Sequence, residues 1–304
     1  MTKEQRIKNL SVPSGKVDVV IDTDTFNEID DQYAISYLLR SGDKLNTKAI
    51  YAAPYTKAGT LTDPGKGMEL SYEEIFRVLD RLGESRPVFR GSTAYLPDEK
   101  TPVISDAARD LAARVEKYSP ENPLYIIAIG AITNVASAIL LNPKVCENAV
   151  VVWLGGHALH YHDNYEFNAR QDVAAARVVF GSEVPFVQLP CQGVVSSFTL
   201  SRPDLDTWLV GKSKIADYLA NITIKEMKRR GWGDIWAKPI WDVTAVAWLL
   251  NDEDKFMLSR IVKSPMPTYE HTYSDNPNGH DMRYVYHINN NELLRDLIAK
   301  LTKM

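Results

Sequence analysis

Val19-Val20-Ile21-Asp22-Thr23-Asp24-Thr25-Phe26-Asn27-Glu28-Ile29-Asp30-Asp31 is the stretch on which the reading of this chain turns. Residues 17–21 form an apolar run, broken only by Asp18, with the length and β-branched content of a buried strand. Four aspartates and a glutamate then fall between Asp22 and Asp31, before Ala34, Ile35, Leu38 and Leu39 take up helical spacing. Strand, acidic loop and helix in that order place the carboxylates beyond the carboxyl end of a strand, where open α/β sheets bind their ligands. Like charges packed this closely repel unless something cancels them. A hard divalent cation such as Ca²⁺, which takes roughly 6–8 oxygen ligands, does so most simply. The alternative is a solvated acidic turn at a helix N-terminus, where carboxylates suit the helix dipole.

Outward from this stretch, short apolar runs alternate with helical stripes. Strands are expected over residues 48–53, 87–90, 124–129, 149–154, 184–189, 256–262 and 283–288. Helices are expected over 72–82, 106–115, 172–180, 205–210, 213–230 and 292–301. Regular alternation implies an α/β fold: an open, mainly parallel sheet with helices on both faces. No repeat and no Pro/Gly/Ser-rich linker divides residues 1–304, so one domain is expected. With 45% hydrophobic and 24% charged residues the chain buries a large core. Its net charge of -4 and lack of a sustained basic run argue against nucleic acid or an anionic membrane as partner. The polar N-terminus lacks the apolar core of a signal peptide, and no run reaches the roughly 18 apolar residues of a membrane span, which points to a cytoplasmic protein. Cys146 and Cys191 have no spacing that suggests zinc or a disulfide framework, and read as buried thiols.

Three later stretches carry further chemistry. Gly130-Ala131-Ile132-Thr133-Asn134 is a polar strand-to-helix turn, which by itself reads as a helix N-cap. Gly155-Gly156 lets a ligand or another backbone approach, and the loop after it, from His157 to Asn168, gathers groups suited to a polyhydroxylated ligand. The spacing of His157, His160 and His162 gives little support to a transition-metal site. Lys225, Lys228, Arg229 and Arg230 read as a solvated, helix-ending charge run, and Asp242 as either an N-cap or a second ligand to the cation.

With these residues in view, the chain resembles the inosine-uridine-preferring nucleoside hydrolases, calcium enzymes that cleave the N-glycosidic bond of ribonucleosides. The resemblance rests on Asp22-Thr23-Asp24 with Asp30-Asp31, the Gly130 to Asn134 turn, Gly155-Gly156 leading to Glu166-Phe167-Asn168, and Asp242, in that order along nearly the whole chain. It implies that Asp24, Asp31, the Thr133 backbone carbonyl and Asp242 hold Ca²⁺, with Asp30 beside them at the ribose. It further implies that Glu166 and Asn168 bind sugar hydroxyls, that Asp24 is the general base, and that the protein is a homodimer or homotetramer acting on a small ribonucleoside.

Four departures from the family pattern bear on the site. The acidic loop is two residues longer, which inserts Asn27-Glu28 near the ribose. Ala53-Pro54-Tyr55 lacks a sugar-binding asparagine, for which Asn27 is the candidate replacement. The loop after Gly156 is short, and Asn164 is the candidate for its first asparagine. Trp241 precedes Asp242 where many members place a histidine acid, as in a purine-preferring branch that uses aromatic stacking, with Tyr55, Tyr165 and the three histidines as other candidates for the base pocket. Two other functions fit part of the pattern. Val20 to Thr25 also matches the signature of haloacid-dehalogenase-like phosphatases, with Asp22 as nucleophile and Asp24 as acid/base. A non-catalytic ribosyl-binding homologue would keep the metal and lose turnover.

Overall fold

Continuous apolar runs mark strands that are covered on both faces, and the first strand shows why. A computed structural model describes residues 1–277 and 279–303. Strand β1 (Val17–Thr23) is buried from Val19 to its end. Val19 and Ile21 join a core built with the helices Asp30–Leu39, Pro64–Leu82, Lys214–Arg229, Val243–Leu249 and Asn290–Leu301. Val20 faces the other way, into a core with the helices Asp106–Arg114, Thr133–Leu141 and Val173–Gly181. Each face of the sheet is therefore closed by its own layer of helices.

The remaining strands are β2 (Leu45–Ala52), β3 (Val88–Phe89), β4 (Leu124–Ala128), β5 (Ala149–Leu154), β6 (Phe186–Leu189), β7 (Thr199–Ser201), β8 (Ala237–Pro239), β9 (Met257–Lys263), β10 (Met266–Pro267), β11 (Tyr273–Ser274) and β12 (Asp281–Ile288). Eight of them form one sheet in the order β3-β2-β1-β4-β5-β6-β12-β9, parallel throughout except where β9 runs against β12. The pairs β7–β8 and β10–β11 stand apart as small antiparallel ladders. From β1 the chain builds outward through β2 and β3, then returns to place β4 on the other side of β1. That reversal opens a crevice at the carboxyl ends of β1 and β4, where doubly wound sheets bind ligands. The register sets Asp22 beside Ala128, so Asp22 to Asp24 and the Gly130 turn emerge side by side.

Local chemistry moves several boundaries from the sequence reading. The helix expected at residue 72 begins at Pro64, because Asp63-Pro64 is a helix start as well as a turn. Asp63 accepts from the Gly65 and Lys66 amides, and proline takes a first-turn position where no N–H is needed. A short helix, Phe167–Gln171, occupies what reads as the end of a loop, and Lys3–Asn9 is an unanticipated helix capped by Thr2. No helix among the described residues is long and apolar enough to cross a membrane.

Candidate active site

Strand β1 sends its terminal side chains to different places. Asp22, on the same face as Val20, is fully buried with Oδ1 accepting from Asn134 Nδ2 at 2.8 Å, and burial pushes its carboxyl up to about 7. It lies off the wall of the cavity described below, so the structure gives the phosphatase reading no accessible nucleophile. Thr23 Oγ1 donates to Asp31 Oδ1 at 2.6 Å, which orients that carboxylate. Asp24 lines the cavity, its Cγ only 3.2 Å from where a Cβ on Gly130 would stand, so the glycine leaves room for it.

Two helix N-termini complete the cluster. Asp30 and Asp31 occupy the first turn of Asp30–Leu39, and Asp242 precedes Val243–Leu249. Asp242 makes no side-chain capping bond, so its carboxylate is free to face the other acids, while its amide donates to Asp30 Oδ2 at 3.3 Å. Oxygens of Asp30, Asp31 and Asp242 lie within 4.8 Å of one another, all buried. Burial, then mutual repulsion, raises these groups: Asp31 to about 7, and Asp24 and Asp242 well above the usual carboxylate range. Asp24 Oδ2 is buried with no hydrogen-bond partner among the described residues. An all-oxygen set with an unpartnered carboxylate oxygen fits a hard divalent cation and suits a soft one poorly.

These acids line one side of a cavity of about 420 Å³, within the usual size of a small-molecule site. Asn27, Glu28, Glu166, Asn168 and Trp241 line it too. Glu166 accepts from the Gly156, Asn168 and Ala169 amides at 2.9, 3.0 and 2.9 Å, which ties the Gly155-Gly156 turn to the start of Phe167–Gln171. Asn168 Nδ2 donates to Ile129 O at 3.1 Å and Leu154 O at 3.0 Å, so it is pinned across the ends of β4 and β5. Trp241 Nε1 donates to Ser196 Oγ at 2.8 Å.

Two expected site residues are not on the cavity wall. Asn164 Oδ1 accepts from the His157 amide at 2.8 Å and packs against Gly156, whose φ of +75° suits glycine; the side chain organises the turn. Thr133 is buried with Oγ1 donating to Asp172 Oδ2 at 2.7 Å, so its side chain is committed to the fold. Nor do Thr133 and Asn134 cap their helix, since Ile132 holds that position and both side chains bond across the fold. Of the histidines, His157 and His162 line the cavity and His160 does not; burial holds His157 below its usual value, hence neutral at pH 7. Cys191, half of the buried-thiol reading, also reaches the wall.

Other residues of the site were not legible as such. Arg230, read as part of a solvated run, donates from a guanidinium NH2 to Glu28 Oε1 at 2.8 Å, and Lys238 Nζ lies 2.6 Å from Glu28 Oε2. Arg170 lines the cavity, its guanidinium over the rings of Tyr165 and Phe167 at 4.6 and 5.2 Å. A half-buried acid in the Asn27-Glu28 extension calls for a cationic partner, but nothing in the spacing says which of 35 lysines and arginines supplies it.

Residues 19–293 match the family described as inosine-uridine preferring nucleoside hydrolase. The chain belongs to that family. Nucleoside hydrolase folds recur among solved structures, and the fold shown above is theirs. A plant nucleoside hydrolase is 19% identical over 95% of this chain and 99% of its own, with a TM-score of 0.76. A purine-preferring ribonucleoside hydrolase from Gardnerella vaginalis is 18% identical over 94% and 98%, with a TM-score of 0.75. The type III effector XopQ, solved in complex with adenosine diphosphate ribose, is 14% identical over 100% and 99%, with a TM-score of 0.66. At these identities the likeness speaks for the fold alone. No curated protein sequence matches the chain. As a nucleoside hydrolase, the chain is an N-glycosidase of ribonucleosides with an acidic, metal-type cluster in its crevice.

Proposed function

We propose that the chain hydrolyses ribonucleosides to ribose and free base with Ca²⁺ held by Asp24, Asp31, Asp242 and the Thr133 carbonyl, and with Asp24 as general base. The observation that carries this reading is the convergence of Asp24, Asp30, Asp31 and Asp242 on one cavity at the reversal point of the sheet. When bound, the ion supplies Lewis acidity toward water and the vicinal ribose hydroxyls. Asp24 takes the proton of the attacking water, for which its unpartnered Oδ2 suits it. The water oxygen bonds to the anomeric carbon as the carbon–nitrogen bond breaks, its electrons pass to the base, the base takes a proton from solvent, and Asp24 returns its own to solvent. Asp30, fixed by the Asp242 amide, and Glu166 and Asn168, fixed by backbone groups, hold the sugar so that its anomeric carbon meets the water. Trp241 offers an aromatic surface for the leaving base.

A second reading, a ribosyl-binding protein without turnover, gains from Arg170. Its guanidinium rests on two rings and pairs with no carboxylate among the described residues, so a phosphate on a ribosyl ligand would find a donor there. The purified protein, given Ca²⁺ and a panel of purine and pyrimidine ribonucleosides, separates the two. Release of ribose supports the hydrolase. Tight calorimetric binding of adenosine diphosphate ribose, with no ribose released from any nucleoside, favours the second reading.

A further inference from the structure

The Asn27-Glu28 extension is anchored by charges behind the cavity wall. Both Glu28 oxygens are engaged, Oε1 by Arg230 at 2.8 Å and Oε2 by Lys238 at 2.6 Å. Lys238 is only 2% exposed, unusual for a lysine, and is not itself part of the wall. Its ammonium also donates to Pro239 O at 3.0 Å and lies 3.9 Å from the ring centre of Trp241, which does line the cavity. The indole is thus fixed at its edge by Ser196 and contacted at one face by a cation, and it also borders the cavity.

We infer that Lys238, acting through Trp241, is a specificity-determining positioning residue that selects a neutral aromatic base over a cationic one. This rests on Trp241 being the platform for the base. An aromatic ring attracts cations through the negative potential on its faces. A cation seated on one face already draws on that potential, and its own charge repels a second cation stacked on the opposite face. Glu28 gives a cationic base little in return, since both its oxygens are tied to cations. A neutral purine meets no such repulsion and keeps its stacking and burial.

The test compares guanosine with 7-methylguanosine in mildly acidic buffer, where the methylated base carries a positive charge, in the parent, Lys238→Met and Lys238→Arg. Methionine keeps an unbranched stem and removes the charge. The ratio of kcat/KM values, guanosine over 7-methylguanosine, should fall roughly tenfold in Lys238→Met, the size of an exposed-to-buried cation–π term, and recover in Lys238→Arg. Because Lys238→Met leaves Glu28 with one partner fewer and risks misfolding, the double variant Glu28→Gln/Lys238→Met is the companion, and the same fall is expected in it. Equal losses on both nucleosides, or a ratio that does not move, would assign Lys238 a purely structural role and overturn the inference. If the parent releases no ribose from any nucleoside, the proposed hydrolysis fails. The ratio of calorimetric dissociation constants for the same pair then decides the part played by Lys238.

Discussion

Replacing Asp31 by asparagine should stabilise the metal-free protein at alkaline pH and rob it of its response to calcium. Asparagine mimics the protonated acid and still offers Oδ1 to the Thr23 hydroxyl, so little else changes. Burial, with the charge of Asp30 second, moves Asp31 from 3.8 to about 7. A carboxyl raised in this way holds its proton more tightly in the folded state. Its stabilising contribution is full below 3.8 and is lost as pH climbs through about 7. At about 1.36 kcal/mol for each pH unit the loss approaches about 4 kcal/mol as an upper bound, because the neighbouring acids titrate together. In a domain of this size about 1 kcal/mol moves the Tm by roughly 2 °C. With chelator present, the variant should melt at most roughly 3 °C above the parent at pH 5, where about a third of that loss has accrued, and up to roughly 8 °C above it at pH 8. His157 and His280, whose lowered affinities for protons work in the opposite sense near pH 6, are common to both proteins and cancel. Calcium adds about 2.7 kcal/mol to the parent at about 100 times its Kd and about 4.1 kcal/mol at about 1,000 times, so it should narrow and then close the gap at pH 8 while leaving the variant's Tm unmoved. A difference in Tm that does not change between pH 5 and 8, or an equal calcium response in the two proteins, would refute this electrostatic account.

Three further outcomes follow from the same geometry. Asp24→Asn should lower kcat by at least about 100-fold, since the amide cannot take the proton of water, and an unchanged kcat removes Asp24 from the base role. Asn168→Ala leaves the Ile129 and Leu154 carbonyls without their donor and should lose about 1–3 kcal/mol in kcat/KM together with some thermal stability; a full kcat/KM would place the sugar elsewhere. Asp22→Asn should still release ribose from inosine, because Asp22 faces Asn134 rather than the cavity, and its loss of all turnover would reopen a direct role for that carboxyl.

The parallel sheet was legible because β1, β4 and β5 are apolar on both faces, a pattern that alternation on a half-exposed sheet does not produce. Carboxylates close in sequence were legible as a group for the same local reason, and Asp242 joined them through the family pattern before the fold brought it near. What stayed hidden depends on contacts far apart in the chain. Glu28 and Lys238 are 210 positions apart, and no periodicity links them. Thr133 and Asn134 sit where caps usually do, yet tertiary partners claim both side chains, and Asn164 shapes a turn where a sugar contact was expected. Arg170 falls in a helix of five residues, too short to announce which way its side chains point.

Free ribose released from inosine, followed while calcium is stripped and restored, tests the central claim most directly. The purified protein should release ribose, fall to background in excess chelator and recover when calcium exceeds the chelator. Asp242→Asn should need far more calcium for the same rate, because one of the clustered acids is gone. Ribose release that persists in chelator, with Asp242→Asn indistinguishable from the parent, would contradict a divalent cation site built from these carboxylates.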